Sequence, residues 1–173
     1  MPGLPGAQII PPQPTLQPSG LPQGFVATSV QGGAKLLVYR NAVVNVANTF
    51  TFTTIPFDVI EYPIGVSDVP YYSRTSGILT VPRGPLVRVD SSVIMNAPGA
   101  GSLGLRVLKN GATEYRLDTG YNGAGNPAAS GSRLIPVVVG DTLVIQVAQS
   151  TPTNPASPFT GVSFCWCQFE FGV

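Results

Sequence analysis

The feature that most constrains the fold of this chain is how often glycine and proline interrupt it. There are 20 glycines and 18 prolines among 173 residues. From about residue 25 onward, Gly, Pro, Asn and Asp separate short runs rich in Val, Ile, Leu, Phe and Thr, a composition typical of strands joined by turns. None of these runs has the 3.6-residue period of an amphipathic helix. The sequence therefore predicts an all-β fold.

The runs predict nine or ten strands, near residues 34–40, 43–54, 57–62, 77–81, 86–97, 103–109, 113–118, 132–138, 142–149 and 162–171. Alternation is clearest in 86–97, where Val87, Val89 and Val93 share the face predicted to be buried. In the last strand Cys165, Cys167, Phe169 and Phe171 oppose Phe164, Trp166, Gln168 and Glu170, so both faces are largely apolar. Segments 119–131 and 149–161 are predicted to be long loops. Many short strands with regular turns indicate a sandwich or barrel.

The first 24 residues differ from the rest of the chain. They contain seven prolines and no charged residue, which predicts an extended arm with a reach of roughly 70 Å, followed by one domain over residues 25–173. The apolar residues of the arm are expected either to pack on the arm's own domain or, as we favour, to contact a partner in a larger assembly. The predicted contact residues are Leu4, Ile9, Ile10, Pro11, Pro12, Leu16 and Leu21.

The composition argues against several classes of function. The chain has no histidine, the commonest general base and metal ligand, and its net charge of +1 comes without a basic run, so we expect no nucleic-acid partner. Cys165 and Cys167 supply at most half of a zinc site and are predicted to be buried. No pair of the eight carboxylates has a defensible catalytic spacing. We therefore expect no catalytic residue, metal or cofactor.

The sequence also predicts where the protein is found. It has no apolar run of about 18 residues for a membrane span, and its start lacks the features of a secretory signal. We expect no membrane partner and assembly in a host cytoplasm. Only 10% of the residues are charged, which favours a homo-oligomer whose copies cover part of the surface.

The order of the turn motifs resembles one known family. IPFDVIEY (55–62), TSGILTVPRGPLVRV (75–89), LRVLKNG (105–111), SRLIPVVVGDTLVIQV (132–147) and FTGVSFCWCQFEF (159–171) follow one another as similar motifs do in the globular head of complement component one-q and its tumour-necrosis-factor-like relatives. The resemblance implies a jelly-roll β-sandwich of about ten strands that forms a compact trimer through one face. Tyr71, Tyr72 and Trp166 are the expected residues of the seam between subunits.

The resemblance and the arm together predict a non-enzymatic viral structural protein. We expect a trimeric decoration, or cement, protein on the outer surface of a bacteriophage capsid, held at three-fold positions by arms that contact the major capsid protein. The alternative is a trimeric fibre-tip or receptor-binding knob in which loops 119–131 and 149–161 recognise a host glycan or protein. A secreted complement-like or cytokine-like binding protein is the third possibility.

Overall fold

The computed structural model describes residues 34–62, 70–122, 125–161 and 163–173. The described residues form eleven strands and no helix. The strands are β1 (Ala34–Tyr39), β2 (Thr53–Thr54), β3 (Val59–Tyr62), β4 (Leu79–Thr80), β5 (Leu86–Asn96), β6 (Gly101–Lys109), β7 (Thr113–Asn122), β8 (Ala128–Pro136), β9 (Thr142–Gln149), β10 (Ser157–Pro158) and β11 (Cys165–Phe171). Within these ranges, no helix has the length and apolar character needed to cross a membrane. The predicted all-β class is confirmed.

The strands form two antiparallel sheets. In the six-stranded sheet β5 pairs with β11 and β8 along its length and with the short strand β10 at its end, and β1 and β3 follow β11 outward. In the five-stranded sheet β9 lies between β6 and the two short strands β2 and β4, and β7 forms the far edge. Neighbours that are distant in sequence, such as β1 and β11, make this a jelly-roll sandwich.

The core lies between the two sheets and follows the alternation of the sequence. On β5, Val87, Val89, Val93 and Met95 are all fully buried, whereas Arg88 on the other face is exposed. Side chains with under 2% exposure fill the centre of the sandwich; the largest are Phe57, Phe169, Phe171, Leu36, Ile55, Leu79, Met95, Leu103, Leu105, Ile135, Leu143 and Ile145. The predicted burial of Cys165 and Cys167 is confirmed, and neither forms a disulfide.

The predicted strand over residues 43–54 is wrong for most of its length. Only β2 and a single bridge between Val46 and Ala156 pair with other strands. Where this segment begins, the buried Arg40 donates hydrogen bonds from its guanidinium to the carbonyls of Ala42 and Val43, and also to that of Pro56 beyond the end of the segment. Those carbonyls accept hydrogen bonds from the buried guanidinium and not from the amides of a neighbouring strand.

The predicted loop over residues 119–131 is also wrong. β7 continues to Asn122 and β8 begins at Ala128, so the connection between them is short. Asp118 joins the two strands because its carboxylate accepts hydrogen bonds from the amides of Thr119 and Ser130, at 2.6 and 2.9 Å. Gly120 and Gly131, which indicated a loop in the sequence, instead allow β7 and β8 to approach closely. The other predicted loop, 149–161, is confirmed except for the two residues of β10.

Candidate functional site on the outer face of the six-stranded sheet

The outer face of the six-stranded sheet carries side chains in rows that run across the strands. One row joins Tyr39 on β1, Trp166 on β11 and Ser92 on β5. The row two residues further along joins Leu37, Gln168 and Asp90. Directly opposite residues in an antiparallel pair have side chains in contact range. The register therefore determines which outward side chains form one continuous surface.

One end of this face is apolar. Tyr39 and Trp166 are only half-buried, and Phe164, just before β11, is 45% exposed. The ring of Phe159 packs on that of Phe164 with 5.7 Å between their centres, and backbone hydrogen bonds of 2.9 Å join both residues to Ile94. We call these five residues, Tyr39, Ile94, Phe159, Phe164 and Trp166, the aromatic patch. Large aromatic side chains grouped on a surface are typical of protein interfaces.

The other end of the face is charged. Lys35 pairs with Glu170 at 3.5 Å, and Arg88 pairs with Asp90 at 3.2 Å. Beside these pairs, Leu134 is 54% exposed and borders an open depression of about 490 Å³ that Arg133 also lines. Exposed ion pairs contribute little to stability, about 0–1 kcal/mol. An apolar patch with a charged border is the arrangement of an interface core and rim.

The structure separates the three residues predicted for the seam. Trp166 lies on the outer face, in the centre of the aromatic patch. Tyr72 is buried between the sheets, and its hydroxyl accepts a hydrogen bond from the Phe57 amide and donates one to the Phe57 carbonyl. Tyr71 packs edge-on against Phe171, with ring centres 5.9 Å apart, also on the inner side of the sheet. Burial raises the pKa of both tyrosine hydroxyls.

The seam itself stays a prediction, because a single chain does not test it. The predicted contact residues of the arm, Leu4, Ile9, Ile10, Pro11, Pro12, Leu16 and Leu21, lie outside the described residues. Sequence reasoning missed four of the five residues of the aromatic patch. The sequence did group Phe164 with Trp166 on one face of the last strand, but both faces of that strand are apolar, so the pattern did not show which face points outward.

Two titratable groups with shifted pKa values, Asp141 and Cys165, have structural explanations. Asp141 sits in the turn before β9, where it accepts hydrogen bonds from Asn110, Lys109 and the Val138 amide, which lower its pKa to about 2. Burial raises the pKa of the Cys165 thiol to about 12, so it is protonated at neutral pH. No group of three or more potential metal ligands occurs among the described residues. Turn formation thus accounts for Asp141, and burial in the core for Cys165.

Comparison with known proteins identifies the fold. No protein-family profile and no curated protein sequence matches this chain. Murine APRIL at pH 5.0 superposes with a TM-score of 0.55 at 8% identity, covering 81% of this chain and 99% of that one. Eiger TNF from S. frugiperda gives 0.52 at 13% identity, covering 83% and 94%. The globular domain of zebrafish complement 1qA gives 0.48 at 13% identity, covering 79% and 94%. The chain has the jelly-roll fold that the resemblance implied.

Proposed function

We propose that this protein is a non-enzymatic homotrimer assembled through the outer face of the six-stranded sheet. The aromatic patch is the observation that carries the proposal. Tyr39, Phe164 and Trp166 are large side chains on the outer face of the sheet, where they take no part in the core of one copy. Covering them with a second copy removes apolar surface from water, which is favourable by about 25 cal/mol per Å². The charged end of the same face then forms the rim of the interface.

A three-fold arrangement results when the outer face of the six-stranded sheet of one copy meets a different surface of the next copy. Such head-to-tail contacts form a closed ring when the rotation closes. The family resemblance implies a compact trimer, and the fold supports that arrangement. In this proposal Trp166 contacts the next subunit, whereas Tyr71 and Tyr72 support the seam from inside their own subunit.

The biological role we propose is decoration of a bacteriophage head. The trimer sits on the outer surface of the capsid at three-fold positions, and residues 1–24 of each copy extend onto the major capsid protein. Support comes from the arm's composition, which is uncharged and rich in proline and aliphatic residues. Three arms on one trimer bind with avidity, because attachment of the first raises the effective concentration of the others. Apolar arm contacts would reinforce the shell from outside.

Two chains test the proposal: the full protein and a shortened chain that starts at Gly24. We expect light scattering and small-angle X-ray scattering to give trimers for both. Mixed with purified undecorated phage heads, the full protein is expected to co-sediment and the shortened chain to remain in solution. Equal binding of both chains would remove the arm from the mechanism, and a monomer at micromolar concentration would contradict the seam.

A receptor-binding knob is the second candidate. The loop 149–161 remains available for it, whereas most of segment 119–131 belongs to strands. The observation that favours this candidate is a pocket on the five-stranded sheet, away from the proposed seam. Its lining is aromatic and polar: Phe50, Phe52, Arg106, Glu114, Arg116 and Thr119. Trimers that attach to host cells but do not bind capsids would support the receptor-binding role over the decoration role.

A further inference from the structure

The outer face of the five-stranded sheet contains a pocket that the assembly proposed above does not use. Its volume is about 220 Å³. Drug-sized ligands usually occupy about 300–1,000 Å³, so this pocket has room for a single small ring. Its lining combines two aromatic rings with charged and hydroxyl side chains: Phe50, Phe52, Arg106, Glu114, Arg116 and Thr119.

Arg106 is held in place from three sides. Its guanidinium lies over the Phe52 ring, 3.7 Å from the ring centre, and forms an ion pair with Glu114. Its Nε donates a hydrogen bond to Gln146 at 2.9 Å, and the Gln146 amide donates to Thr54 at 3.2 Å. The arginine therefore belongs to a hydrogen-bonded row across the sheet. Its side chain is positioned before any ligand arrives, which reduces the entropy lost on binding.

Arg116 lies directly opposite Arg106 in the pairing of β6 and β7. Like charges directly opposite each other destabilise a sheet, so this pairing needs a compensating anion. Glu114 supplies one negative charge and is paired with Arg106. Arg116 donates to the Thr119 hydroxyl, and none of the described carboxylates forms an ion pair with it. Asp118, which like Glu114 is two residues from Arg116 in sequence, accepts hydrogen bonds from two backbone amides. The charged side chains that line the pocket, Arg106, Arg116 and Glu114, therefore carry one net positive charge.

The backbone around the pocket has three unusual features. The register of β6 and β7 shifts between Leu105 and Arg106, and such bulges redirect side chains beside binding sites. Phe50 adopts φ of 55°, which is uncommon for a non-glycine residue, and its ring is 41% exposed. The two rings lie against Gly104, where a Cβ would be 3.2 Å from the Phe52 ring and 3.4 Å from the Phe50 ring. Together they present an aromatic surface next to Arg116.

From this geometry we infer that the pocket binds a sugar acid, a pyranose ring with one carboxylate. The carboxylate pairs with the guanidinium edge of Arg116 that Thr119 does not occupy, a charge-assisted contact. The C–H face of the ring packs on Phe50. The second carboxylate oxygen of Glu114, whose side chain is 59% exposed, accepts hydrogen bonds from ring hydroxyls. An acidic peptide matches the positive charge but does not use the aromatic face in this way.

The test compares two ligands that differ only in the carboxylate. Methyl glucuronide and methyl glucoside are each titrated into the full protein and followed by saturation-transfer NMR. We expect the glucuronide to bind, with an affinity that falls as salt is added, and the glucoside to bind at least about tenfold more weakly, because a hydrogen bond to a charged group contributes about 1.5–3 kcal/mol. Equal binding of the two sugars would overturn the inference.

Two variants assign the binding to the pocket. Arg116→Gln is expected to weaken glucuronide binding by about tenfold or more, and Phe50→Ala by about two- to tenfold. The matched controls are Arg133→Gln, an exposed arginine on the other sheet, and Tyr121→Ala, a 74% exposed aromatic on β7. Binding lost equally in the controls, or a glutamate peptide that binds where the glucuronide does not, would contradict a sugar-acid site. Because the pocket lies away from the aromatic patch, trimer formation and capsid binding can fail without affecting this result.

Discussion

At the scale of single residues, Asp141 shows how a turn determines the titration of a side chain. One carboxylate oxygen accepts a 2.7 Å hydrogen bond from the Asn110 side chain. The other accepts from the Val138 amide and from Lys109, each at 2.8 Å. These contacts favour the charged form and lower the pKa to about 2. They connect the turn before β9 to the turn after β6, where Asn110 and Gly111 have φ of 51° and 68°.

A pH dependence of stability follows from the lowered pKa. The unfolded chain binds a proton at Asp141 near its ordinary pKa of about 4, before the folded chain does. The stabilisation is therefore complete above about pH 5 and is lost as the pH falls towards 2. We expect Asp141→Asn to be less stable than the wild type at neutral pH, with a difference that shrinks through this acid range.

Urea unfolding at a series of pH values measures that difference. Glu61→Gln is the control, because Glu61 is exposed on the edge strand β3 and its removal is expected to leave the curve parallel to the wild type. A difference for Asp141→Asn that is the same at neutral pH and near pH 2 would show that the carboxyl group does not titrate as its contacts indicate.

At the scale of elements, the sequence predicted the strands whose pattern is set within the strand itself. β5 and β11, and β9 as far as Val147, follow the expected alternation of buried and outward residues, because one side of each faces the same core. The errors come from interactions between distant residues. The Val43 carbonyl accepts a hydrogen bond from the Arg40 side chain and not from a neighbouring strand. Gly120 and Gly131, which suggested a loop, lie inside β7 and β8.

The candidate sites were less predictable than the fold for the same reason. Trp166 was identified because aromatic residues in the last strand are visible in the sequence. The pocket was missed, because Phe50 is far in sequence from Arg106 and Arg116, and only the pairing of β2, β9, β6 and β7 brings their elements together. A register shift between β6 and β7 cannot be read from alternation alone.

The two glycines of β7 and β8 provide a test at this scale. A Cβ on Gly120 would overlap the Ala128 carbonyl, and one on Gly131 would lie 2.5 Å from the Leu117 carbonyl oxygen. Both obstacles are backbone atoms, which cannot rotate away. We expect Gly120→Ala to lower the free energy of unfolding by about 1–3 kcal/mol or more, in the range of overpacked sites.

Thermal and urea unfolding of Gly120→Ala measure this cost. Tyr121→Ala, at the exposed neighbouring position on β7, serves as the control and is expected to change stability by less than about 0.5 kcal/mol. A Gly120→Ala protein as stable as the wild type would mean that β7 and β8 do not lie close enough for a Cβ at Gly120 to meet the Ala128 carbonyl.

At the scale of the whole molecule, the two outer faces of the sandwich differ in chemistry. The six-stranded sheet presents an aromatic patch with a charged border, and the five-stranded sheet presents a polar row and a small pocket. This division allows one face to be covered by neighbouring copies while the other remains open to a ligand. A low content of charged side chains, 10%, fits a chain with much of its surface covered in the assembled state.

Two side chains of β11 separate folding of the subunit from assembly. Phe169 points into the core and is 1% exposed, so Phe169→Ala is expected to cost about 3–5 kcal/mol of subunit stability. Trp166 lies three residues earlier on the outer face. Its replacement by Ala leaves the inner core intact, and we expect it to weaken association of the copies far more than folding of each one.

Sedimentation equilibrium and urea unfolding, measured on both variants over a range of protein concentrations, distinguish these effects. Trp166→Ala should shift the population from trimer towards monomer at a concentration where the wild type stays assembled. The far-ultraviolet circular dichroism of its monomer should remain that of a β protein. Gln168→Ala on the same face, beside the aromatic patch, is the control for a polar position of the interface and should shift the equilibrium less. If Trp166→Ala remained a trimer at every concentration, the seam would have to lie on another face of the sandwich, and the aromatic patch would be free for a different partner.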